Sequence, residues 1–386
     1  MKRSTDRVLT MHAGSLPRPD DVKAMVIARA DGNPYDAERL TTRLREAVAE
    51  IVQQQIACGI DSINDGELSK TNFTNYAKER LAGTEVRAFG PGEGPEPLQI
   101  SARDRVAYPG YFESSIGPVV GRPRDKQNFC IAPLTYTGAE NLQVAIANFK
   151  TALEGIDDRD PFLPTVAPGS IEHWLWIELY ATQEEFVYAI AEVMREEYEA
   201  IAAAGFTLQI DDPDLFDGYQ MYTDMDVAGY REFAQVRVDA LNHALRNIPR
   251  EQIRLHVCWG SYHGPHEFDI PLRDIVDVFL SVKAQAYSLE ASNPRHEHEW
   301  SVWKDVKLPD GAILIPGLVG HSSDFVEHPE LVAQRLLRYA DIVGKENVMG
   351  GTDCGIGPRV GHPSIAWGKF RALSEGARLA SKQLWG

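Results

Sequence analysis

A rhythm limits this fold more than any single motif. Short apolar runs, each ending on polar or titratable residues, alternate with amphipathic stretches along almost the whole chain. Helices are expected over 36–58, 183–204, 226–247, 272–283 and 329–343. In the second of these, Phe186, Ile190, Met194, Tyr198 and Ile201 recur at helical spacing, and Gly205 follows as a stop. Strand, loop and helix repeated in this order point to parallel strands joined by helical crossovers. Nine strand candidates compete for eight barrel positions, and 128–137 is set aside because it follows a long irregular stretch. The other eight end at Ser15, Glu67, Ala167, Asp211, Cys258, Glu290, His321 and Cys354, and only Ala167 lacks a polar, titratable or thiol group. The expectation is an α/β chain folded as one TIM (β/α)8 barrel over 1–386. A long inserted loop region, 81–137, is expected between the second and third barrel strands, over the barrel mouth. In such barrels the C-terminal strand ends share one rim, where enzymes keep their sites.

Composition removes several classes of function. The chain has 386 residues, 44% of them hydrophobic, and a formal net charge of −17. Phosphate contact needs basic surface, so nucleic acid and anionic membranes are not expected partners. No apolar run reaches the length of a membrane span, and the charged N-terminus has no apolar segment behind it. Four cysteines (58, 130, 258 and 354) are too few for a disulfide framework in a chain this long. A cytoplasmic, reducing location is expected, and it would keep the thiols free. A homo-oligomer is left open.

The stretch Arg254-Leu-His-Val-Cys-Trp-Gly260 reads as a buried strand running into a loop. His256 and Cys258 are two apart, so a strand sends both side chains to one face. Imidazole and thiolate are preferred zinc ligands. Two ligands do not close a tetrahedral site, and Glu290 and Cys354, at the ends of later strands, are the candidates to complete it. Their spacing is too wide for a zinc-finger pattern, so the shared location at strand ends carries the argument.

Each group also has a plainer role. The His256–Cys258 pair fits a half-buried strand with an incidental thiol. Asp211 and Asp212 fit a cap on the next helix, and Glu67 allows the same. Cys58 and Cys130 fit ordinary buried thiols. His263, His266, His296 and His298 form HxxH and HxH spacings in polar loops, where substrate contact or a solvated loop competes with a second metal site. Trp174 and Trp176 fit the core better than a ligand platform. His321, between Gly320 and Ser322, is not on an apolar face, which favours a catalytic role.

At His256, Cys258, Glu290 and Cys354 the pattern resembles the zinc site of the cobalamin-independent methionine synthase family, in its C-terminal barrel. Gly14-Ser15, Asp65-Gly66-Glu67, Ile210-Asp211-Asp212-Pro213, Gly320-His321-Ser322 and Asp353-Cys354-Gly355 are similar to further motifs of that family, in the same order. Within the superfamily the chain resembles the short single-barrel members, epoxyalkane:coenzyme M transferase among them, through His256 to His266, Ser292 to His296 and Thr352 to Cys354.

The resemblance implies a zinc-dependent enzyme that transfers an alkyl group, methyl above all, to a small thiol such as homocysteine. It implies His256, Cys258, Glu290 and Cys354 as metal ligands, Ser15, Glu67 and Asp211 as substrate-binding residues, and His321 as the catalytic acid. The alternative it implies is epoxide ring opening by a zinc-bound thiolate. Asn128-Phe129 stands where the family has a basic residue for folate, and Asp212 where methionine synthases carry glutamate. The alkyl donor and the thiol therefore stay open.

Overall fold

The protein is described by a computed structural model that covers residues 1–73, 75–90, 100–114, 126–357 and 359–386. Seven parallel strands form the central sheet. In sheet order they are Ser62–Ile63, Asp160–Val166, Thr207–Asp211, Ile253–Val257, Ala286–Leu289, Ile313–Val319 and Gly351–Thr352. The edges of this sheet are brought together by Thr10 and Met11, which bridge in parallel to Gly350 and Ser62. Thr10–Met11 thus supplies the first of eight positions around a curled, TIM-like barrel.

Alternation along each strand sorts the side chains. Leu208, Ile210, Ile253, Leu255, Val257, Tyr287, Leu289, Leu314 and Leu318 point outward into the main core, against the helices. Gln209, Arg254, His256 and Ser288 occupy the opposite, inward positions, and all four are buried. Leu9, Met11, Ala286, Ile313, Ile315 and Met349 form a separate inward apolar cluster, with Ala286 in register with Arg254 and Ile315 with Ser288.

The helices follow the expected periodicity. Ala37–Ala57, Gln183–Ala203, Val227–Ala244, Leu272–Leu280 and Pro329–Val343 each bury one apolar stripe. Thr182 caps the second of these by accepting from Glu185 N at 3.1 Å, a contact worth about 1 kcal/mol.

Two expectations need correction. The first two barrel strands are much shorter than the apolar runs suggest, because backbone pairing stops at Met11 and Ile63. Ser15 and Glu67 consequently lie in loops beyond the strands. The stretch from 81 to 127 is also less irregular than its composition implies. Leu81–Arg87 pairs antiparallel with Gln127–Tyr136, which pairs in parallel with Leu175–Ile177 in a separate three-stranded sheet. Short helices lie at Ala102–Ala107 and Pro109–Glu113. The parts of the expected insertion at 91–99 and 115–125 lie outside the described residues.

Candidate metal centre at the barrel rim

His256 is the penultimate residue of the fifth barrel strand, which ends at Val257, and Cys258 follows directly after it. Cys354 follows the eighth strand, which ends at Thr352. The neighbouring strands are in register, with Asp211 beside His256 and His256 beside Ser288. This register brings distant residues to one place. A ligand atom of His256 and the sulfurs of Cys258 and Cys354 all lie within 4.8 Å of one another. The two sulfurs are 3.8 Å apart.

The imidazole is held for ligation. His256 Nδ1 is engaged by Ser288 Oγ at 3.2 Å. Nε2 is buried and has no hydrogen-bond partner among the described residues. A histidine whose second nitrogen is fixed by a neighbouring hydroxyl has a set orientation and tautomer. Cys354 Sγ accepts a hydrogen bond from Ser261 Oγ at 3.1 Å. The thiols are unequal. The hydrogen bond they share, with burial added, pushes Cys258 well up, whereas that bond and His256 hold Cys354 well down. Burial pushes His256 down, but the neighbouring Cys354 sulfur outweighs it and leaves the imidazole raised.

Glu290 stands beside this cluster rather than inside it. It is 3% exposed, and its Oε1 lacks a partner among the described residues. Its Oε2 accepts from Asn293 Nδ2 at 2.6 Å. Burial, with the charges of Asp353 and Cys354, pushes its carboxyl well above the usual range. A buried imidazole nitrogen, two thiols and an unpartnered carboxylate oxygen fit a borderline-soft, four-coordinate ion such as zinc.

His321 follows the seventh strand and is 2% exposed. Both ring nitrogens lack partners among the described residues. Its Nε2 is 4.0 Å from Glu290 Oε1. Burial lowers its pKa, against the charges of Cys354 and Asp353.

Glu67 and Asp211 make a second group. Glu67 has a left-handed backbone, with φ of 56°, a strained state for a residue with a Cβ. Its carboxylate packs on Gly14, where any Cβ would overlap Oε1. Lys70 Nζ is 3.4 Å from Oε2. Burial raises both carboxyl pKa values, and each carboxylate's charge adds to that of its neighbours. Ser15 Oγ packs against Gly355, next to Cys354, where a side chain would not fit. Ser15 also receives Gly357 N on its carbonyl at 3.0 Å.

Several supporting residues were not singled out for a role by the sequence. Asp353, fully buried, accepts from Ala291 N (2.8 Å), Ser292 N (3.0 Å) and Ser292 Oγ (2.6 Å). It therefore ties the Glu290 loop to Cys354. Glu327 accepts from Gly320 N at 2.7 Å and pairs with buried Lys369 at 3.0 Å, which fixes the loop carrying His321. Placement between Thr352 and Cys354 was the one available signal for Asp353. Lys369 gave none beyond a cation on a helix.

In the histidine-rich loops two imidazoles share a carboxylate. His266 Nδ1 and His296 Nε2 converge on Asp269 Oδ2 at 2.8 and 3.0 Å, while His263 and His298 are exposed. His296 also stacks on Trp259, centroid to centroid 3.7 Å. Trp174 and Trp176 are half-buried.

Comparison with known proteins agrees with this geometry. Residues 165–367 match the model of the family described as "Cobalamin-independent synthase, Catalytic domain". The chain belongs to that family. The matched segment contains His256, Cys258, Glu290, His321 and Cys354. A curated relative named methionine synthase from Thermococcus kodakarensis is 22% identical over 372 residues, spanning 96% of this chain and 93% of the relative. One of the same name from Pyrococcus furiosus is 22% identical over 96% of this chain and 92% of the relative. Among solved structures, a B12-independent methionine synthase from Shewanella sp. W3-18-1, in complex with selenomethionine, superposes with a TM-score of 0.70. It is 20% identical and is covered to 99%, with 98% of this chain covered. A putative vitamin-B12 independent methionine synthase from Listeria monocytogenes gives 0.66 at 18% identity, covering 98% of this chain and 99% of that one. At these identities the structural likeness speaks to the fold.

Proposed function

We propose that this member of the family is a zinc-dependent methyltransferase acting on the thiol of homocysteine. The convergence of the His256 imidazole with the sulfurs of Cys258 and Cys354 at the barrel rim carries the reading. The curated relatives' name, methionine synthase, supports the reaction class. His256, Cys258 and Cys354 would hold the ion, with Glu290 as the fourth ligand. Zinc bound there would ionise a thiol that otherwise, with a pKa of roughly 8.5, is only a few per cent thiolate at neutral pH.

The chain's own groups do the rest. Glu67 and Asp211 bind the ammonium group of the amino acid, and Ser15 lines the same turn. His321, with no hydrogen-bond partner among the described residues, is placed to pass a proton to the atom that the methyl group leaves. Asp104, in the segment between the second and third barrel strands, accepts from Tyr262 OH (3.1 Å) and Phe268 N (3.2 Å) beyond the fifth strand. These contacts support a role for 81–137 as a cover over the barrel mouth.

The alternative, epoxide opening by a sulfonate thiol, needs a free cation near the rim. Arg18 donates to the carbonyls of Glu67 and Lys70, Arg295 to that of Glu267, and Lys70 pairs with Glu67. The engagement of these three cations favours an amino-acid thiol, while Arg359, whose charge reaches His321, is a cation left to the alternative. The deciding experiment is metal analysis followed by a thiol panel of homocysteine, coenzyme M and glutathione, each with folate, sulfonium and epoxide donors. Zinc-dependent methylation of homocysteine is expected. Turnover confined to coenzyme M and epoxides would replace this reading with the alternative.

A further inference from the structure

Gln209 and Arg254 form a layer directly beneath Asp211 and His256 inside the barrel. Gln209 faces Arg254, and Asp211 faces His256, as register partners on adjacent parallel strands. Gln209 and Arg254 are both 0% exposed. A guanidinium has donors only. Arg254 directs Nη1 to Gln209 Oε1 (3.3 Å) and Nη2 to Ser62 Oγ (2.8 Å), with Asp160 Oδ2 3.6 Å away. The arginine therefore settles which end of the amide is oxygen. Gln209 Nε2 is left facing Asp211 Oδ1 at 2.8 Å and Ala13 O at 2.7 Å, which uses both of its hydrogens. Ala13 begins the turn whose next residue, Gly14, seats the carboxylate of Glu67. One amide thus joins Asp211 to the support of Glu67.

We propose that Gln209, oriented by Arg254, is a positioning residue that sets Asp211 against Glu67 and so fixes the site's preference for thiols bearing a protonated amine. The proposal rests on the reading that these two carboxylates take an ammonium group. Two buried carboxylates left to themselves separate or take up a proton. A donor anchored from below opposes both outcomes at Asp211.

The test compares binding of homocysteine with that of 4-mercaptobutyrate, which differs only in lacking the amine, to the zinc-loaded protein. In Gln209→Glu, Arg254 keeps its acceptor, but a carboxylate oxygen replaces the donor facing Asp211 and Ala13. The wild type is expected to prefer homocysteine, and the preference to fall at least about tenfold in the variant, the scale of one hydrogen bond to a charged group. Gln209→Met, which removes the donor at similar volume, is expected to lower the preference in the same direction and serves if Gln209→Glu does not fold. Full preference in the folded variants would overturn the proposal while leaving the ammonium reading intact. Equal binding of both thiols by the wild type would overturn that reading and the proposal with it.

Discussion

Cys258 Sγ and Cys354 Sγ lie 3.8 Å apart, although 96 residues separate them in the chain. Nothing local holds them together. Each hangs from the end of its own barrel strand, and the closed ring of parallel pairings fixes the distance between those ends. With His256 they make a cluster whose buried nitrogen has no partner among the described residues.

Replacing either thiol should therefore remove the ion without removing the fold. Cys258→Ala and Cys354→Ala are each expected to drop zinc from about one per chain to a small fraction, while the barrel remains. Elemental analysis of purified protein, paired with circular dichroism, checks both halves.

Asp353 should matter almost as much as a ligand. Asp353→Ala strands two buried N–H groups, at about 1–3 kcal/mol each, and frees the Glu290 loop. A stability loss of roughly 3 kcal/mol and a zinc affinity lower by roughly 10–100-fold are expected. Chemical denaturation and a chelator competition titration measure them.

The role proposed for His321 lies in the reaction and not in holding the metal. His321→Gln is expected to lower kcat by roughly 100-fold or more with zinc content and homocysteine affinity near wild type. A matching loss of zinc would move His321 into the ligand set instead.

A pH effect separate from the site comes from Glu197. This side chain is 1% exposed, accepts from Tyr136 OH (2.6 Å) and Thr165 Oγ1 (2.8 Å), and is pushed up to about 8 by burial. The folded value lies above the ordinary value of 4.5, so the folded state holds the proton more tightly. That stabilisation is complete below about pH 4.5 and is lost as pH rises through about 8. Glu197→Gln should flatten the fall in Tm between about pH 4.5 and pH 8, as read by calorimetry.

The parts of this molecule that were legible in the sequence are those set by spacing along one element. The face of Gln183–Ala203 and the shared side of His256 and Cys258 follow from the period of a helix and of a strand. Strand ends could be read as rim positions because parallel strands put them there. What depends on two elements meeting was hidden. Asp353 bonding to Ala291 and Ser292, Arg254 orienting Gln209, and Asp269 joining His266 to His296 each cross between strands or loops. The short first strands were missed for another reason. Apolar content marks burial, and Ala13 and Leu68 are buried without being in a ladder.

The central claim, a metal held by two sulfurs that ionises a third, is tested most directly by X-ray absorption at the zinc edge. Without substrate, two sulfur scatterers at about 2.3 Å and two lighter atoms at about 2.0–2.2 Å are expected. On adding homocysteine the sulfur count should rise to three. Zinc surrounded only by nitrogen and oxygen, or a sulfur count unmoved by homocysteine, would contradict the account.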